Sequence, residues 1–183
     1  MSRGSLIALE GIDGAGTTTQ ARLLVDSLCQ AGQRAHLTRE PSDGPLGRLI
    51  RQVLRHQTGP VDRAALALLF AADRVDHLQR EIEPMLAQGA HVVTDRYVYS
   101  SLAYQSMDLE LEWVATINTL APEADLTIYL RVDPQTAAQR RGSRGAGAEL
   151  FETDAQQQRI CAIYDTMFGS SPNAGSRRRC DSG

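Results

Sequence analysis

Residues 6–20 read LIALEGIDGAGTTTQ, and no other stretch narrows the folds open to this chain as far. A short apolar run, 6–9, enters a loop with glycines at 11, 14 and 16. Thr17, Thr18 and Thr19 follow, and then the pattern turns helical. Strand, glycine loop and helix in that order form a phosphate-binding loop. Glycine takes unusual dihedrals and lets a phosphate approach the backbone N–H groups, and the helix start adds the positive end of its dipole. The pattern G-x-x-x-x-G-K-[ST] fits the frame Gly11, Gly16, Thr17, Thr18 at every position but one: Thr17 stands where the lysine belongs. The sequence therefore predicts an anion cradle without its point charge. An ordinary Gly-rich turn between strand and helix is the alternative. The two glycines in frame, the hydroxyl at position 18 and the flanking pattern favour the phosphate reading.

A chain of 183 residues suits one domain with a sizeable core. Its net charge of −3 argues against a general nucleic-acid surface; basic clusters occur near Arg140 and Arg177. The first apolar run is too short for a signal peptide, and no segment approaches membrane-spanning length. Cys29, Cys161 and Cys180 are scattered without metal spacing. These features predict reduced thiols in a cytoplasmic protein with no membrane or nucleic-acid partner.

Further along, Ala21, Leu24, Val25 and Leu28 recur at helical spacing up to Gly32. Residues 33–38 read as a second strand, with Arg39-Glu40-Pro41 at its carboxyl end. Leu46 to Leu54 carry a second helix. A long helical run follows the turn at 58–60 and is expected to break at Pro84. The third strand is 91–94, ending in Asp95-Arg96-Tyr97. A helix starting at 100–105 is expected to continue through Trp113 to Leu120. The fourth strand is 125–132, Pro134 opens another helix, and 151–168 is the last one. Arginines 140, 141 and 144 alternate with glycines 142, 145 and 147. Strands alternating with helices predict an α/β fold, a parallel sheet with helices on both faces. Ligands bind such sheets at the carboxyl ends of the strands, where the glycine loop, Arg39-Glu40 and Asp95-Arg96 would meet.

The strings EGIDGAGTTTQ, TREP, LLFAADR and DRYVYSSLAYQ, followed by the arginine-glycine loop, occur in the order seen in thymidylate kinases. The resemblance covers residues 6 to about 168. It implies a P-loop domain over 1–168, with a lid around 140–150, and transfer of the ATP γ-phosphoryl group to dTMP with Mg²⁺, in nucleotide biosynthesis. By resemblance, Gly11, Ile12, Asp13, Gly14, Ala15, Gly16, Thr17 and Thr18 bind the ATP phosphates, and Thr18 and Asp95 hold the metal. Asp13, Arg39, Phe70, Arg74, Arg96, Ser101, Tyr104 and Gln105 surround the acceptor. Asp13, Arg96, Arg140, Arg141 and Arg144 are the catalytic candidates, and homodimers are usual in the family. Read without the resemblance, several of these stay open. Asp13 is equally a turn aspartate, Phe70 a core residue, and the arginines a solvated charge run.

Two departures from the family stand out. Thr17 replaces the loop lysine, which leaves a nucleotide-binding but catalytically impaired relative, or a kinase for another nucleoside monophosphate, as alternatives. After Phe168 the chain reads GSSPNAGSRRRCDSG, where the family continues with one more strand and a helix. Residues 169–183 read as a disordered basic tail. The expected result is an exposed edge on the fourth strand, prone to pairing.

Overall fold

The structure is a computed structural model in which residues 3–142 and 153–169 are described. Among them, four strands form one parallel sheet in the order β2-β3-β1-β4. They are β1 (Leu6–Glu10), β2 (Ala35–Arg39), β3 (His91–Asp95) and β4 (Leu126–Tyr129). The chain steps from β1 out to β2 on one side, and from β3 past β1 to β4 on the other. The connections therefore diverge between β1 and β3, where ligand crevices open in parallel sheets.

Alternation along β1 sets the two layers. Leu6 and Ala8 face Leu78, Ile82, Leu86 and Val92. Leu9 faces Ala21 and Val93, with Leu24, Val25 and Leu28 of α1 (Thr17–Gln30) packed alongside. A third apolar cluster lies below the carboxyl ends of the strands. It gathers Ile12, Ile50 of α2 (Pro45–Leu54), Leu66 of α3 (Arg63–His77), and Ile160 and Tyr164 of α8 (Asp154–Gly169). The helix α3 starts where Asp62 accepts hydrogen bonds from the Ala64 and Ala65 amides as its N-cap.

Three expectations change. The long helical run does not break at Pro84 itself. It passes through a π-helical turn, Leu78–Ile82, into α4 (Glu83–Ala87), with the Glu83 amide reaching back five residues to the Leu78 carbonyl. Pro84 has no amide to continue the ladder, and the wider turn ahead of it absorbs the loss. The helix after β3 is not continuous. It forms α5 (Val98–Tyr104), a 3₁₀ turn (Gln105–Met107) and α6 (Leu111–Ile117). Burial of Gln105 and Met107 turns the chain there, although no glycine or proline marks the place. The fourth strand is shorter than 125–132, because its ladder follows the short β1 and ends opposite Glu10. Among the described residues β4 pairs only with β1. The helix opened by Pro134 is α7 (Pro134–Gly142). The lid from 143 on, Arg144, Phe151, Cys180 and the tail from 170 lie outside the described residues. Cys29 and Cys161 are free thiols.

Candidate active site

The glycine loop follows β1 and ends on α1, with Gly16 left-handed at the N-cap (φ 96°). Gly14 is also left-handed (φ 92°), and a Cβ there would fall 2.5 Å from the Ala137 carbonyl oxygen, so α7 rests directly on the loop. Above the loop opens a cleft of about 910 Å³. Asp13, Gly14, Ala15, Gly16, Thr17 and Thr18 line it, together with Asp95, Arg96, Arg140 and Arg141. Gly11 and Ile12 do not line it. Gly11 is packed close to the Leu130 carbonyl, and Ile12 is in the core.

The Thr18 hydroxyl donates to the Asp95 carboxylate. The other oxygen, Asp95 Oδ1, is buried with no hydrogen-bond partner. An orphaned carboxylate oxygen beside a hydroxyl in an anion cleft suits a hard divalent cation, and Mg²⁺ commonly takes one or two protein oxygens plus phosphates. Among the described residues no cluster of three His, Cys, Asp or Glu could hold a metal unaided.

A second, smaller pocket of about 140 Å³ adjoins this cleft. Phe70 and Arg74 of α3, Ser101 and Tyr104 of α5, and Gln105 line it, with Glu40 and Pro41 from the end of β2. Asp13 and Arg96 line both cavities. Arg96 sits at the end of β3 with a left-handed backbone (φ 74°). It donates to Asp13 Oδ1 at 2.6 Å, the Gly11 carbonyl at 2.9 Å and Ser100 Oγ at 3.1 Å, and lies 5.0 Å from the centre of the Tyr104 ring. Three hydrogen bonds and an aromatic face hold it at the junction.

Arg74 is buried, at 1% exposure, and largely committed to the protein. Its Nε donates to Glu40 at 2.8 Å, one terminal nitrogen to Asn118, and the other to the Tyr97 carbonyl and Ser101 Oγ, both at 3.1 Å. Its role in the pocket is first to hold the wall together. Arg39, expected at the acceptor, is not there. Its side chain is 57% exposed and pairs with Asp43 at 2.8 Å. At the end of β2 it points to solvent, while the next residue, Glu40, turns inward. Gln105, which lines the pocket, has its Oε1 buried without a hydrogen-bond partner.

Several supporting residues carried no assigned role in the sequence reading. Gln157 on α8 clamps Asp13 twice: its Nε2 donates to Asp13 Oδ2 at 2.7 Å, and its Oε1 accepts from the Asp13 amide at 3.0 Å. No sequence signal links positions 144 apart. Glu10, fully buried, accepts from Ser100 Oγ at 2.6 Å, Tyr164 Oη at 2.8 Å and the Tyr97 amide at 2.9 Å. Burial pushes its carboxyl above the usual range, opposed by the Ser100 hydroxyl, the Arg96 charge and its other donors. Glu40 closes the set, with His77 Nδ1 at 3.4 Å on its far oxygen.

A glycine loop on a helix start, a strand-end aspartate beside a loop hydroxyl, and a second pocket joined to the first through an arginine are the parts of a P-loop nucleotide kinase. The family model described as thymidylate kinase matches residues 9–173. A probable thymidylate kinase of Pyrobaculum aerophilum is 45% identical over 161 residues, 87% of this chain and 81% of that one. A putative thymidylate kinase of Aeropyrum pernix is 45% identical over 164 residues, 89% and 78% of the two chains. A probable one of Pyrococcus horikoshii is 43% identical over 167 residues, 88% and 82%. The chain belongs to the thymidylate kinase family.

Proposed function

We propose that the cleft over the glycine loop takes ATP, that the adjoining pocket takes dTMP, and that the γ-phosphoryl group passes between them to give ADP and dTDP. The observation that carries this reading is the shared boundary: Asp13 and Arg96 line both cavities. Donor and acceptor phosphates brought to one arginine are positioned for in-line transfer, and such reactions depend on positioning and charge neutralisation more than on covalent help.

The loop amides and the α1 N-terminus hold the donor phosphates. Thr18 and Asp95 would hold Mg²⁺, which neutralises charge on the transferring phosphate. Arg96, anchored by Asp13, binds the acceptor phosphate and the group in flight. Arg140 and Arg141, in the last turn of α7, face the donor. Phe70 offers a flat apolar face to thymine. Ser101, Tyr104 and Gln105 line the base and sugar.

The test is ADP release by the purified chain with ATP, Mg²⁺ and dTMP, with dUMP, dCMP, AMP and thymidine alongside. Selective turnover of dTMP is expected, abolished by EDTA and restored by Mg²⁺. Faster turnover of another monophosphate would overturn the substrate assignment, and EDTA-resistant turnover the metal. A cytoplasmic location and a homodimer belong to the same proposal. Among the described residues no helix is long and apolar enough to cross a membrane. Leu49 of α2 and Leu68 of α3 are 39% and 50% exposed on helices that pack together, which supports an interface on that side.

A further inference from the structure

The loop pattern G-x-x-x-x-G-K-[ST] combines an amide cradle with a lysine that reaches the β- and γ-phosphates. Here position 17 holds a short, neutral side chain, 6% exposed, and the first turn of α1 (Thr17–Gln30) reads TTTQ, with no cation. The nearest positive groups that line the cleft come from elsewhere: Arg96 after β3, and Arg140 and Arg141 on α7.

What places the α7 pair is Gly14. Its bare Cα lets the Ala137 carbonyl come so close that a Cβ would stand 2.5 Å from it, and Ala137 is fully buried. Residues three and four positions on from Ala137 share its helix face, so seating Ala137 on the loop carries Arg140 and Arg141 over the loop as well. Arg141 donates to the Asp13 carbonyl at 2.7 Å and to Asp154 at 2.8 Å. Arg96 is tied to Asp13 at 2.6 Å and stands at the junction, shared between this cleft and the smaller pocket. Arg140 brings its Nη1 to 3.5 Å from the Ala15 carbonyl, one residue before Gly16 and the helix start, where the donor phosphates would lie.

We infer that Arg140 supplies, from α7, the positive charge that a lysine at position 17 would otherwise supply. The inference rests on the kinase reading and names the residue that completes its donor site. In the transfer, the bond between the γ-phosphorus and the β,γ-bridging oxygen breaks as a bond to an acceptor phosphate oxygen forms. The electron pair stays on the β-phosphate of ADP, and Arg140 balances that growing charge while keeping its own proton. A guanidinium suits the role because it stays protonated and can bind two phosphate oxygens at once.

The test is a charge-relocation cycle: the wild type, Arg140→Ala, Thr17→Lys and the double variant. Arg140 is exposed on its helix, and melting curves check that each variant keeps the wild-type stability. Arg140→Ala is expected to lower kcat/KM for ATP about 10²–10³-fold. Thr17→Lys in that background should recover at least about tenfold, a gain several times larger than the same substitution gives in the wild type. Calorimetric titration with ATP and AMP gives a second readout that needs no turnover. Arg140→Ala should weaken ATP and leave AMP unchanged, and Thr17→Lys should restore ATP. Equal gains from Thr17→Lys in both backgrounds, or unchanged ATP affinity and kcat/KM in Arg140→Ala, would overturn the inference. Failure of the kinase reading is a different result, absence of dTMP-dependent ADP release by the wild type, and the titrations then still decide the role of Arg140.

Discussion

Arg74 illustrates how a residue can belong to a site and to the fold at once. Its guanidinium and the Glu40 carboxylate are both nearly inaccessible to water, and each is the principal counter-charge of the other. Removing one partner of a buried pair leaves an uncompensated charge, which typically costs about 3–5 kcal/mol. Arg74→Ala is therefore expected to lose stability on that scale in urea denaturation, beyond any effect on dTMP. Arg96 differs. It keeps a hydrogen bond to the loop, one to α5 and one to Asp13, and it faces both cavities. The residues that surround it, Glu10, Ser100, Tyr164 and Gln157, form a polar layer between the sheet and α8 in which each hydrogen bond fixes the next.

At the scale of elements, the junction of α3 with its π-helical turn carries a titrating group. His77 faces Glu40 on its own, Thr38 at 2.8 Å from β2 and Glu81 at 3.6 Å from the turn, with Asp73 one turn back. Burial pulls its imidazole down, but the Glu40 hydrogen bond and the Glu40, Glu81 and Asp73 charges outweigh it, leaving the pKa raised. A histidine raised in the folded state adds stability that is complete below its unfolded pKa of about 6.5 and is lost as pH rises through the folded value. Urea midpoints should fall from this source as pH rises above about 6.5. His77→Gln should remove that part of the slope. The contact between α7 and the loop makes a second prediction. Gly14→Ala places a methyl against the Ala137 carbonyl and forces a left-handed alanine, about 1–2 kcal/mol of strain. Its kcat/KM for ATP should fall more than tenfold, because moving α7 shifts Arg140 and Arg141 together.

At the scale of the molecule, the exposed leucines of α2 and α3 lie on helices that also wall the acceptor pocket through Leu54 and Phe70. If this side joins two copies, Leu49→Glu with Leu68→Glu should convert a dimer to a monomer in sedimentation, at protein concentrations where the wild type stays dimeric. An unchanged mass would move the interface elsewhere. Among the described residues β2 and β4 are the outer strands, and the buried centre of the sheet coincides with the strands that end in the loop and in Asp95-Arg96. The strands paired on both sides thus carry the residues that must be placed most accurately.

The family resemblance placed Phe70 and Arg74 at the acceptor. The sequence by itself determined the loop, the alternation of strands and helices, and the meeting of the glycine loop with Asp95-Arg96 at the carboxyl edge of a parallel sheet. These are written in local signals: glycine spacing, hydrophobic period and strand-end position. Tertiary structure alone decided that Arg39 turns out while Glu40 turns in, that Arg74 is held from four sides, that Gln157 clamps Asp13, and that α7 sits on Gly14. Each depends on contacts between residues far apart in the chain, where packing of one surface on another chooses the side-chain direction and no local pattern records the choice.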